Sequence, residues 1–158
     1  MGLDAHVRCR CIQDGLAKPH PFLKRLTVDE VIEPVLSANA SLEDWRLHDQ
    51  WFAESCEHGG YIALERLGNI TRIAHIREFV RHLQSRPAPR FPILLESVIY
   101  DGTHTGDLLT SSQAQGLLEE VNIVLQSSDI LTGSEREFFE SMRRLCQASV
   151  ETGNPIVF

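Results

Sequence analysis

Two short pairs of residues carry the side chains best suited to metal or nucleophilic chemistry: Cys9-x-Cys11 and Cys56-x-His58. Three thiols and an imidazole are a ligand set that Zn2+ takes in tetrahedral geometry. On a strand, residues 9 and 11 would point to the same side, because strand side chains alternate. The single intervening residue is shorter than the roughly two to four that separate paired ligands in most structural zinc sites. The same residues also suit an apolar interior. Cys9 and Cys11 continue the apolar face of Leu3, Ala5 and Val7, Cys56 lies four residues beyond Phe52, and Cys146 falls on the inner side of the last helical pattern. Free cysteine packs as a small hydrophobe. Core packing with no cofactor is therefore the first expectation, and zinc on Cys9, Cys11, Cys56 and His58 is the alternative. A Cys9–Cys11 disulfide is not expected, because alternate strand residues seldom reach bonding geometry. Nor is a nucleophilic cysteine: Cys56, Glu57 and His58 are sequence neighbours, which on a helix point in different directions.

A second constellation lies in the loop Asp101-Gly102-Thr103-His104-Thr105-Gly106-Asp107. Asp101, His104 and Asp107 are the residue types of general acid–base catalysis. Their alternative role is a small hydrolase site, and the plain reading of so much Asp, Thr and Gly is a set of turns. The lysine of a phosphate-binding loop is absent.

These residues need elements to hold them. Leu3 to Cys11 alternates with a period of two and predicts a half-buried strand. Leu26 to Ile32 predicts a second, closed by Pro34. Ser41 and Asp44 have capping-box spacing ahead of a helix whose stripe is Leu42, Trp45 and Phe52. Tyr61 to Leu67 reads as either strand or helix start. Asn69 suits the N-cap of a helix striped by Ile70, Ile73, Val80 and Leu83. Ile93 to Tyr100, apolar and bounded by Pro92 and Gly102, predicts a central strand. Leu117, Leu118, Val121, Val124 and Leu125 mark a further helix. Ser134 and Glu137 predict the capping box of the last one, with Phe138, Met142, Leu145 and Ser149 facing inward. Strands and helices do not alternate regularly, so the expected fold is one α+β domain, 1–158, with a small, partly antiparallel sheet covered by about four helices.

The net charge of −7 argues against a nucleic-acid partner, since phosphates would be repelled on average. No segment has the apolar length of a membrane span, and no leader pattern opens the sequence, so a cytoplasmic protein is expected. The one basic stretch, Arg72, His75, Arg77, Arg81, His82, Arg86 and Arg90, reads as a solvated face or one paired with nearby acids, with anion binding as the alternative.

Met1-Gly2-Leu3-Asp4, Ser55-Cys56-Glu57-His58, the 102–107 loop and Thr152-Gly153-Asn154-Pro155-Ile156-Val157-Phe158 together resemble a group of small bacterial proteins associated with immunity to polymorphic or secreted toxins. The resemblance implies a protein-binding protein and not an enzyme: an immunity protein occludes the active site of a cognate toxin. On that reading Asp49, Glu54, Glu57 and His58 contact the partner, and their acidity suits a basic toxin surface.

Overall fold

The computed structural model describes residues 2–84, 90–101, 107–126 and 131–158. It bears out the α+β expectation. The elements are β1 (Gly2–Arg8), α1 (Leu42–Glu54), β2 (Tyr61–Asn69), α2 (Ile70–Gln84), a π-helical turn (Leu94–Val98), β3 (Leu108–Leu109), α3 (Ser111–Gln126), α4 (Gly133–Thr152) and β4 (Ile156–Val157). The four strands form an antiparallel sheet in the order β2-β1-β4-β3.

The alternation of β1 sorts its side chains onto two faces. Leu3, Ala5 and Val7 are buried against α4, whose Phe138, Phe139, Met142 and Leu145 complete the core with α3's Leu117, Val121 and Val124. The opposite face carries His6 and Arg8, covered by Phe52 of α1 and Tyr61 of β2. The Arg8 guanidinium sits 4.7 Å from the Phe52 ring and 4.3 Å from the Tyr61 ring. This second layer, α1 and the irregular segment 9–41, holds the candidate ligands.

Both ends of α4 are fixed by local chemistry. The Thr132 hydroxyl accepts from the Glu135 N–H, and the Glu135 carboxylate accepts from the Thr132 N–H. Gly153 closes the helix in a left-handed conformation at φ 74°. The capping box thus lies two residues before the Ser134–Glu137 pair expected from spacing. Glu135 is buried and also meets the His75 ring, which selects this register. At α1 the Ser41–Asp44 box forms as the sequence predicts.

Three other expectations fail. Residues 94–98 are a π-helical turn, not a central strand: Leu94 and Val98, four apart, both turn inward, and the free N–H groups of Ile93 and Leu94 donate to the buried Glu120 carboxylate at 3.0 and 2.8 Å. Leu26 to Ile32 makes only the isolated bridge Val28–Pro34, and Ile32 takes a φ of 65° that no strand tolerates. On α1 the buried residues are His48 and Trp51, whereas Leu42 and Trp45 face outward. The ambiguous segment at Tyr61 is a strand, and Asn69 accepts from the Arg72 N–H as expected of an N-cap. Among the described residues, no helix is long and apolar enough to cross a membrane.

Candidate metal centre

β1 ends at Arg8, and the chain leaves the sheet through Cys9 into a tight turn over residues 11–15. α1 ends at Glu54, and the chain reverses through Cys56, Glu57 and His58 to start β2 at Tyr61. Gly59 and Gly60 allow that reversal, with φ of 57° and 86°; a Cβ on Gly60 would stand 2.4 Å from the Phe52 ring. Because Arg8 pairs with Tyr61 in the sheet, the two turns lie side by side. Cross-turn backbone bonds hold them: Cys9 N–H donates to the Gly60 carbonyl at 3.1 Å, and Lys18 N–H to the Ser55 carbonyl at 2.7 Å. The Trp51 indole N–H adds a bond to the Lys18 carbonyl.

The pairing brings Cys9, Cys11, Cys56 and His58 together, with one donor atom from each within 4.8 Å of all the others. Cys9 Sγ is 3.7 Å from Cys56 Sγ, and Cys11 Sγ is 3.3 Å from His58 Nδ1. Donors about 2.0–2.3 Å from a common tetrahedral zinc stand about 3.6–3.8 Å apart. Cys9 with Cys56 stands at that separation, Cys11 with His58 slightly inside it, and the set as a whole fits within 4.8 Å. Cys9 and Cys11 are buried, Cys56 is half-buried and His58 is exposed, so the cluster opens to solvent on one side.

The electrostatics set this cluster apart from a packed core. Burial raises the Cys9 thiol and lifts Cys11 to about 12. Burial also opposes ionisation of Cys56, but the N–H groups of Gly60 and His58 and the thiols of Cys9 and Cys11 outweigh it and bring Cys56 down to about 6. One thiolate forms readily; the next two form only beside a cation. Cys146, by contrast, is fully buried, lies outside the cluster and is pushed up to about 12 by burial alone.

One positioning residue had no signal in the sequence. The Asn154 amide, buried next to the end of α4, donates to the carbonyls of Arg8 and Cys9 at 3.0 and 3.3 Å and exchanges hydrogen bonds with the Gln13 amide. The C-terminal Asn-Pro thus clamps the first ligand turn from 145 residues away.

The other candidates lie elsewhere in the chain. Glu54 and Asp49 line different clefts, and the Glu57 carboxylate lies 3.9 Å from His58 Nε2, beside the cluster. His104 falls outside the described residues. Of its proposed companions, Asp107 accepts a hydrogen bond from the Tyr100 hydroxyl. Along the basic stretch, Arg72 pairs with Glu137, Arg81 with Glu78, and Arg77 donates to the Tyr100 carbonyl, while Arg86 lies outside the described residues. No protein-family model, curated protein or solved structure matches this chain.

Proposed function

We propose that this is a zinc-binding protein in which Cys9, Cys11, Cys56 and His58 hold one Zn2+ in a closed structural site. The observation that carries the reading is the convergence of four donors, from two turns far apart in sequence, all within 4.8 Å of one another. Four protein ligands leave no position for substrate, which favours a structural over a catalytic metal. Zinc would supply the cation that keeps all three thiols ionised, and the protein would gain a staple between β1 and the start of β2. Elemental analysis of protein purified without added chelator should find about one zinc per chain. Cobalt substitution should give thiolate charge-transfer bands that vanish in Cys11→Ser. Zinc well below stoichiometric after purification and after reconstitution would reject the site.

The stapled domain serves, on the second reading, to bind a protein partner, as the resemblance to toxin-immunity proteins implies. Support comes from the outer side of α1, where Leu42 and Trp45 are exposed among Glu43 and Asp49. Apolar anchors ringed by one sign of charge are features of a docking face. Reversing Asp49, Glu54 or Glu57 should slow association with a basic partner at low salt and matter little at high salt. Salt-insensitive, unchanged kinetics would count against it. His58 is assigned to the metal on the first reading and leaves the partner face.

A further inference from the structure

Beside α1, and apart from the metal cluster, lies a cleft of about 330 Å³ lined by Asp29, Glu33, Trp45, His48, Asp49 and Tyr61 among others. Its polar groups are mostly acceptors. Asp29 uses one carboxylate oxygen, Oδ1, to accept the N–H groups of Val31 and Glu33. Glu33 pairs with Arg8. Asp49 is exposed, and among the described residues no hydrogen bond or ion pair engages its carboxylate. The walls are partly aromatic, and two of those rings, Phe52 and Tyr61, already hold one guanidinium, that of Arg8.

A buried imidazole fixes the remaining requirement. His20 Nδ1 accepts the backbone N–H groups of Leu23 and Phe22 at 3.1 and 3.4 Å, so the proton of its neutral ring sits on Nε2. That N–H donates to His48 Nδ1 at 3.0 Å. The neutral His48 ring therefore carries its own proton on Nε2. His48 is only 6% exposed, lines the cleft, and its Nε2 has no partner among the described residues. Burial lowers the pKa of both rings, which keeps them neutral.

The geometry points to a recognition pocket for a basic side chain of a protein partner, an arginine or a lysine, whose cation meets Asp49 and Asp29 beside Trp45 while a neighbouring carbonyl accepts from His48 Nε2–H. An aliphatic stem fits the apolar wall of Pro34, Val35 and Leu36. A cation over an indole and near two carboxylates is favoured by the ring quadrupole and by charge together. The assignment rests on the protein-binding reading and names the chemistry that partner must present.

The test uses N-acetyl-arginine methylamide as probe on the zinc-loaded protein, read by ¹H–¹⁵N shifts of the Trp45 indole and the backbone around His48. Saturable shifts are expected. Asp49→Asn should weaken binding about 3–5-fold, the value of an exposed to half-exposed charge pair. Trp45→Ala should cost a similar factor. Both positions face solvent, so the fold should survive, and unchanged dispersion of the core resonances checks that. The assignment is overturned if nothing saturates by tens of millimolar, or if the neutral norleucine analogue binds equally well. It is overturned too if agmatine, which lacks the carbonyl, binds as tightly, because a free amine would then be the ligand. A basic protein partner that binds undiminished to Asp49→Asn and Trp45→Ala would remove the pocket and leave the binding reading intact.

Discussion

Removing zinc should destabilise the protein by an amount that the chain topology sets. Cys9 and Cys56 lie 47 residues apart, and a metal clip between them closes that loop in the unfolded chain as a disulfide would. The loop-closure relation gives about 4 kcal/mol for a loop of that length. For a chain of about this size each kcal/mol moves the melting temperature by roughly 2–4 °C, so chelation should lower it by about 8–16 °C. The loss should also be uneven. Residues 9–41 contain no regular element, only the Val28–Pro34 bridge and turns, and are held by the cluster and by a few single contacts, among them Trp51 on Lys18, Asn154 on Gln13, Arg8 on Glu33 and His20 on His48. Stripping zinc should therefore open this segment to protease and to hydrogen exchange before β1, β2 or α4 respond. The assay is thermal unfolding of zinc-loaded and chelated protein, with metal content checked on each sample. A melting temperature unchanged to within about 1 °C after verified removal would refute the staple, and so would Cys56→Ser with wild-type stability and wild-type zinc content.

Three further outcomes follow from particular contacts. His58→Cys should keep zinc in a four-thiolate shell, whereas His58→Ala should weaken it at least about tenfold in competition with a chromogenic chelator, because one of four ligands is gone. Asn154→Ala leaves the buried carbonyls of Arg8 and Cys9 without donors and should cost about 1–3 kcal/mol in urea unfolding, with weaker zinc retention; full stability would show that water replaces the amide. The third concerns pH: burial, assisted by the Arg8 charge, lowers His6 from 6.5 to about 4. Between those values the unfolded chain binds the proton and the folded one does not, so stability should rise with pH across about 4 to 6.5. Replacing His6 by Gln should flatten that part of the urea-midpoint profile. A profile as steep as wild type would assign the acid sensitivity to other groups.

Much of the fold was legible where one physical signal acted alone. The alternation of Leu3, Ala5 and Val7 demanded one buried strand face, and the stripe of Phe138, Met142, Leu145 and Ser149 demanded one buried helix face; both are fully covered. Ser41 and Asp44 capped a helix with no competitor nearby. Errors arose where two signals competed. In Ile93–Tyr100 a short apolar run does not distinguish strand from buried helix by periodicity. Glu120, distant in sequence, decides for the helix by accepting the two N–H groups at its start. At the last helix, Thr132 with Glu135 and Ser134 with Glu137 have the same capping spacing, and only the burial of Glu135 separates them. Nothing in the sequence pairs His48 with His20, yet that pairing is what makes the burial of His48 tolerable.

The candidate centre shows the same division between composition and assembly. Its four residues were legible as a zinc ligand set, but their apolar flanks also suited plain packing, and one chain offers both outcomes for comparison. Cys146 is a packed cysteine: it is fully buried on the core side of α4 and unfavourable to ionise through burial alone. Cys9, Cys11 and Cys56 differ from it in each respect that bears on metal affinity. Each has another thiol or an imidazole nitrogen close at hand, and Cys56 has two backbone N–H groups favouring its thiolate. Apolar packing gives no reason to gather three ionisable sulfurs and an imidazole within 4.8 Å, since each proton lost makes the next loss harder. A divalent cation at their centre reverses that sign. Paired strands β1 and β2 create the meeting point, Gly59 and Gly60 allow the second turn, and Asn154 fixes the first. The sheet register therefore turns two ordinary pairs, each with one intervening residue, into one four-donor cluster.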